Sequence, residues 1–268
     1  MLSRIGILAL PFLALSSALV SRAAAGEPPS ANEIMRQAIA RVQRRSDDAV
    51  QPAYTYRKVT VTEELDSAGK VTDRQERVYE GQFQSGATFL KLIEVNGKPL
   101  GDAEKRKQAE NETKYYRMLG QSKNGKGDRR ENFLTEDLVG RFDFTLAGRE
   151  SVDGRAAYML KFQPKKPAPA TRQFLDRILN RISGSLWVDT EDFEIARIEI
   201  KLGSSVDLLG GVLASLKKMA FTVVRTRLAD GQWFNTTSDG EFEGRKLFDT
   251  SRYKTSSRST NFRPVALR

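Results

Sequence analysis

Residues 183–203, SGSLWVDTEDFEIARIEIKLG, decide how the rest of the chain is read. Leu186 and Val188 fall on one phase of a two-residue alternation and Trp187 on the other, while Ala196, Ile198, Ile200 and Leu202 line one side of a returning segment. Asp189, Glu191, Asp192 and Glu194 crowd the connection between them. The pattern is a β-hairpin with an acidic turn, and apolar residues on both phases suit strands packed on two sides.

Immediately upstream, Phe142, Phe144 and Leu146 alternate, Asp153-Gly154 marks a tight turn, and Tyr158, Leu160 and Phe162 alternate on the way back. The Pro-Lys-Lys-Pro-Ala-Pro run at 164–169 interrupts the sheet. Thr171 then caps an expected helix whose Phe174, Leu175, Ile178, Leu179 and Ile182 share one face, fit to cover apolar sheet. Nearer the start, Tyr54 and Tyr56, then Val59 and Val61 on the other phase, give a strand with a bulge in it. Asp66–Gly69 turns the chain, a second strand runs from Val71 to about Gln82, and a third, Ala87 to Val95, ends at Asn96-Gly97. Residues 102–118 are dense in Glu, Lys, Arg and Gln with no continuous apolar stripe, which predicts a solvated helix. The Asn-Gly-Lys-Gly-Asp loop at 124–128 follows, then a short helix holding Leu134, Leu138 and Val139.

Ahead of the strands, Ser30 and Glu33 form a capping box, and Ile34, Met35, Ala38, Ile39 and Val42 make one helical stripe ending near Ser46. Downstream of the opening hairpin, Leu208, Leu209, Val212, Leu213 and Leu216 surround Gly210-Gly211, and this short, apolar, glycine-softened segment reads as a mobile flap. Three more strands follow, Lys217–Leu228, Trp233 to about Leu247 and Thr250–Asn261, the first two joined at Asp230-Gly231. About nine to eleven strands in consecutive hairpins, without strand-helix alternation, predict an α+β fold in which one strongly curved antiparallel sheet carries helices on one face. No linker separates domains.

Composition places the chain in the cell. Arg4, the apolar run Ile5–Val20 and Ala23-Ala24-Ala25 have the form of a cleaved signal peptide over 1–25, leaving 26–268 as a single domain. The run is shorter than the roughly 20 residues a membrane span needs, and it contains Pro11. Cysteine is absent, which excludes a disulfide framework, a thiolate nucleophile and a lipidated processing site. In a bacterium with two membranes the mature chain is then expected in the periplasm, exported and not lipidated. The excess of basic over acidic residues, +10 in the full chain, falls to +8 without Arg4 and Arg22. For an exported protein this points away from nucleic acid and toward anionic envelope surfaces, or simply to solubility.

Histidine is absent too, which removes the commonest general base, the Ser-His-Asp and Cys-His arrangements and most zinc sites. Glu63 and Glu64 are strand neighbours and point to opposite faces, so they cannot share a glycoside. The Asp189–Glu194 acids lack the EF-hand pattern; they read as a solvated turn, with weak calcium binding as the alternative. Ser215 and Lys218 match a Ser-x-x-Lys spacing with nothing else around them, and no glycine-rich phosphate loop is present. The Asn-x-Thr triplets at 111 and 235 are read as chance. No cofactor and no metal is expected, and no catalytic residue is assigned.

Apolar surface remains. It exceeds what a thin sheet must bury, so the helices either fill the space with an ordinary core or leave a cavity beneath them. The stretches RFDFTLAGRESVDGRAAYMLKFQPKKP (141–167), GSLWVDTEDFEIARIEIKL (184–202), FTVVRTRLADGQWF (221–234) and SRYKTSSRSTNFR (251–263) together resemble the outer membrane lipoprotein-sorting superfamily, in an uncharacterised exported branch. The likeness covers nearly the whole mature chain, and Gly184–Asp189 is its most specific piece. It implies a LolA/LolB-like carrier domain: an incomplete, half-open β-barrel with helices covering the concave face, enclosing an apolar cavity for acyl chains. The charged helix at 102–118, the Pro-Lys insertion and the Gly-Gly flap depart from that pattern.

The expected function is therefore a non-enzymatic periplasmic carrier of lipid or lipoprotein acyl chains, with an envelope membrane or membrane protein as partner and no nucleic acid. The alternative is an envelope sensing or protein-interaction module with a filled core. Face alternation nominates Phe142, Phe144, Tyr158, Leu160, Phe162, Phe174, Ile178, Trp187, Leu208, Leu209, Leu213 and Leu216 as cavity residues.

Overall fold

The computed structural model describes residues 28–47, 54–84, 87–122, 134–171, 174–208, 214–246 and 249–265; the expected leader, the 124–128 loop and Gly210-Gly211 lie outside them. Helix α1 (Ala31–Asp47) is followed by strands β1 (Tyr54–Leu65), β2 (Val71–Gln84), β3 (Ala87–Val95) and the two-residue β4 (Lys98–Pro99), then by helix α2 (Asp102–Ser122). The one-turn helix α3 (Glu136–Val139) leads into β5 (Phe142–Val152) and β6 (Arg155–Pro164), and α4 (Phe174–Leu179) precedes β7 (Ile182–Asp189) and β8 (Ile195–Leu202). β9 (Val206–Leu208), β10 (Ala214–Arg227), β11 (Trp233–Lys246) and β12 (Asp249–Pro264) complete the series.

All twelve strands join one antiparallel sheet in the order β4-β3-β2-β1-β12-β11-β10-β8-β7-β6-β5, with β9 beside β10. Two of these strands, β4 and β9, are only two and three residues long, too short to register as alternation in the sequence. Hairpin chemistry sets most of the joints. Asn96-Gly97 and Asp153-Gly154 both take positive φ at both residues, the condition for the tight turns that match strand twist. The last strand pairs with the first over Tyr54–Leu65, so the seam between the early meander and the later hairpins is made by the two most distant strands. The expected bulge in β1 lies between Thr55 and Arg57. With β5 and the β3–β4 hairpin as its two ends, the sheet is an unclosed half-barrel.

The helices form for different reasons. Ser30 Oγ accepts the Glu33 N–H at 3.2 Å, and α1 buries Ile34, Met35, Ala38 and Ile39. Thr135 caps α3 by accepting the Leu138 N–H. The helix expected over 171–182 is shorter: it ends at Leu179, because Asn180 and Arg181 turn the chain onto Asp176 O and Ile178 O, and Ile182 opens β7. Leu175 accordingly points outward, 58% exposed. Helix α2 is solvated as its composition predicts, yet it is not idle. Gln108 accepts the Leu92 N–H at 3.2 Å and the Tyr115 hydroxyl donates to Thr88 O at 3.0 Å, so α2 occupies main-chain groups on the free edge of β3.

Gly184 is fixed by close approach. A Cβ there would lie 1.8 Å from the Glu199 carbonyl oxygen, on the backbone of β8. Gly184→Ala is expected to lower stability by about 1–3 kcal/mol or more, through forced separation of β7 and β8. Urea unfolding is the check; a variant within a few tenths of wild type would show that the two strands do not pack as described.

Candidate functional site

Register places side chains on faces without ambiguity. One row crosses the sheet as Leu146, Leu160, Leu186, Ile198, Val223, Ser238, Ser257, Thr60 and Arg77, each directly opposite the next. The next row is Phe162, Gly184, Ile200, Phe221, Gly240, Thr255, Thr62 and Gln75. This is the face that carries the helices. It is apolar from β5 to β10 and hydroxylic from β11 to β1.

Over the apolar half, Ile34, Met35, Ala38 and Ile39 of α1 pack with Phe142, Tyr158, Leu160, Phe162, Ile182, Leu186 and Val188, and Leu138, Val139, Ile178 and Leu179 bring α3 and α4 to the same layer. Arg141 fastens α4 to this layer through Asp176 at 2.9 Å. Of the nominated cavity residues, Phe142, Tyr158, Leu160 and Phe162 are buried in this cluster and Phe144 and Ile178 pack against it. They are brought together, as a packed layer under α1. Trp187 is a correction. Because Leu186 and Val188 face the helices, Trp187 must face away, and it joins Val152, Ala157, Ala196 and Trp233 in a second cluster on the opposite face.

The flap is corrected in part. Val206–Leu208 and Ala214–Leu216 pair antiparallel, so both ends of the segment are stitched to the sheet and Leu216 sits half-buried within β10. Leu209 and Leu213 lie outside the described residues, and only the backbones of Phe174 and Leu208 are described. The apolar rows continue past this cluster: Ile200 and Met219 pack against its edge, and both they and Phe221, Val223 and Phe242 are only half-buried.

The acidic turn of the opening hairpin is solvated only in part: Glu191 is exposed, but the acids at its two ends are not. Asp189 and Glu194 are each 1% exposed. Arg155 donates to both Asp189 oxygens at 2.7 and 2.9 Å and reaches Glu191 at 2.9 Å; Arg225 holds Glu194 at 2.8 Å, and Arg41 of α1 lies 3.4 Å from it. Asp192 takes Arg227 at 2.6 Å and the Trp233 indole N–H at 2.9 Å. With their oxygens committed to guanidinium groups these acids are not a calcium site, and among the described residues no group of acids is arranged to hold a metal. The sequence shows the acids but not their partners, which come from β6, β10 and α1.

The opposite face of the other half-sheet bears a trough of about 530 Å³ lined by Glu63, Arg74, Asp239, Glu241 and Lys254. Its charges are paired across strands: Lys218 and Lys254 with Glu241 at 2.9 and 3.4 Å, Arg74 with Glu63 at 3.8 Å, and Arg258 with Asp239 at 3.0 Å. Lys218 is thus engaged by an acid, and Glu63 and Glu64 do point to opposite faces. On the helix-bearing face a second cavity, about 410 Å³, lies between α2 and β2–β3. Gln75, Arg77 and Tyr79 form its floor, with Leu90, Leu92 and Val95 beside them. Sequence reading missed these residues; the alternating polar run Lys58, Thr60, Thr62 on the phase that ought to be apolar was the available signal.

The molecule is thus an open antiparallel half-barrel with helices on one face, and no described helix is long and apolar enough to cross a membrane. No protein-family model matches the chain, and no curated protein does. Among solved structures it is similar to a DUF1329 family protein from Desulfovibrio piger, at 13% identity over 88% of this chain and 94% of that one, with a TM-score of 0.33. It is also similar to a domain classed with the outer membrane lipoprotein-sorting proteins from Vibrio parahaemolyticus, at 13% identity, 86% and 93% coverage and a TM-score of 0.35. A third is the lipoprotein LppX of Mycobacterium tuberculosis, at 12% identity, 86% and 98% coverage and a TM-score of 0.28. At such TM-scores the superposition is loose, so what the chain does has to be read from its own residues.

Burial alone would raise the Asp189 carboxyl, but hydrogen bonds from Arg155 and from the Asp192 and Glu191 backbones outweigh it and hold the group below the usual carboxylate range. The folded group therefore titrates below the unfolded one. Its stabilisation is complete above the unfolded value of about 3.9 and is lost as pH falls through the folded value. Asp189→Asn, which strands Arg155, is expected to cost about 3–5 kcal/mol at neutral pH, and the gap from wild type should narrow below about pH 4. Urea unfolding across that pH range measures it; a gap independent of pH would mean the pair is not the source.

Proposed function

We propose that the chain is a non-enzymatic periplasmic carrier of lipid or lipoprotein acyl chains, held on the apolar half of the helix-bearing face. One observation supports this reading above the others. The apolar rows run past the edge of the packed layer, where Ile200 and Met219 still pack against it, and leave Phe221, Val223 and Phe242 half-covered beyond. A soluble protein leaves such a contiguous shelf for a partner. An acyl chain laid along it gains about 0.8 kcal/mol per buried methylene, and further depth is available wherever α1 or α4 yields. The paired ends of the flap segment, Val206–Leu208 and Ala214–Leu216, flank this region of β10, and flexing between them would let cargo in and out.

A second reading has its own support. The tight packing of Phe142, Tyr158, Leu160 and Phe162 against α1 suits a filled core, and with it an envelope sensing or protein-interaction module. Native mass spectrometry of the mature protein from the periplasm, with lipid extraction of the same sample, separates the two. The expected result is a lipid-mass adduct released on denaturation, lost in Phe221→Asp while the fold and thermal midpoint are retained. A clean apo mass that stays clean after incubation with envelope lipids would favour the interaction module.

A further inference from the structure

The hydroxylic half of the helix-bearing face has a charge pattern that solubility does not require. Along β1, β2, β3, β11 and β12 the residues on this face include Lys58, Thr60, Thr62, Gln75, Arg77, Tyr79, Ser257 and Ser259. Among the described residues of these strands its acids are Glu64 with its direct partner Asp73, beside the 66–69 turn, and Asp249 opposite Lys246 at the start of β12, all at the far end from Lys58 and Ser259. Glu63, Glu76, Glu80, Glu94, Asp239, Glu241 and Glu243 all lie on the other face, where the cross-strand ladders pair them. On α2, Glu104 reaches the 410 Å³ cavity, but its Oε2 accepts the Gly101 N–H at 2.9 Å and Lys107 lines the same wall.

Lys58 sits directly opposite Ser259 and Tyr79, and Thr60 opposite Ser257 and Arg77. The Thr60 and Ser257 hydroxyls are 2.9 Å apart, and Ser257 and Ser259 are buried. Two cations on adjacent strands, diagonal to each other and two positions apart along the ladder, with hydroxyls beside them and most carboxylates turned away, form a receptor for a single anion of phosphate size. Apolar walls begin at once beside it: Leu90, Leu92 and Val95 in the cavity on one side, and Phe221 and Val223 across β11 and β12 on the other.

We infer that Lys58, Arg77 and the hydroxyls of Thr60, Ser257 and Ser259 bind the phosphate-bearing headgroup of an anionic amphiphile, its acyl chain lying on the neighbouring apolar surface. This rests on the carrier reading and names the class of cargo. Burial lowers the Lys58 ammonium below its usual range, a cost that a bound anion reverses. Free phosphate offers the same headgroup chemistry without the chain, so it has to be tested separately.

The test compares two single-chain probes of equal length, a monoacyl phosphoglycerol lipid and the uncharged monoacylglycerol, binding to the mature protein by calorimetry or fluorescence displacement. Wild type should bind the anionic probe about tenfold more tightly or better, and Lys58→Met with Arg77→Gln should bring it to the level of the neutral probe, whose affinity stays unchanged. Lys58→Met removes a partly desolvated charge and Arg77 is exposed, so folding is not at risk; Thr60→Val with Ser257→Ala provides a second, charge-neutral variant expected to weaken the preference in the same direction. Equal affinities in wild type, or a preference that survives in both variants, would overturn the headgroup site while leaving a carrier. Failure of both probes to bind would instead remove the carrier reading and this one with it. Displacement of the anionic probe by millimolar inorganic phosphate alone would assign the site to free phosphate and overturn the headgroup assignment.

Discussion

Two carboxylates buried in a turn organise this molecule. Asp189 and Glu194 bracket the connection between β7 and β8, and carboxyl groups buried that deeply need partners brought to them. Those cations come from Arg155 on β6, Arg225 on β10 and Arg41 on α1, while the neighbouring Asp192 gathers Arg227 and Trp233. One turn of six residues thereby fixes the relative positions of three strands, a helix and Trp233. Trp187 is held separately on the back of the sheet, tied to Glu150 at 2.8 Å and lying under Arg197. Hydrophobic burial supplies the bulk of the driving force, but it is indifferent to small displacements; the arginine forks are not.

The consequence is a sheet whose two faces do different work and whose helix-bearing face is itself divided. Where α1, α3 and α4 lie, phenylalanine and leucine fill the space. Where they do not, the same rows turn to serine, threonine, lysine and arginine within two strands. An amphiphile has this polarity along its own length, and it is on the match between the two gradients that the proposed carrier role draws.

Much of the architecture was legible because alternation and turn residues are local signals. β3 and the β5–β6 hairpin follow from patterns such as Phe142, Phe144 and Leu146 with Asp153-Gly154, and the α1 stripe follows from its capping Ser30. Trp187 lies where local pattern gives out. Its phase was readable, yet which face carries the helices depends on contacts with residues 35 and 162 that no neighbouring sequence announces. The acidic turn differs for the same reason: four acids in six residues look solvated until arginines 31 to 36 positions away are folded onto them. Helix α4 was overextended because Ile182 keeps the helical spacing while belonging to a strand, and spacing alone cannot separate the two when a short helix runs straight into a sheet.

Helix α2 has no apolar stripe, and by composition it is the element least tied to the fold. Its Gln108 and Tyr115 nevertheless occupy the outward amide and carbonyl of Leu92 and Thr88. A barrel that closes needs no such guard, because its last strand finds its first. Leaving the barrel open creates a growing end, a template on which any extended chain in a crowded compartment could add as the next strand. A charged helix laid across that end terminates the template, so that an open sheet does not become a seed for polymerisation.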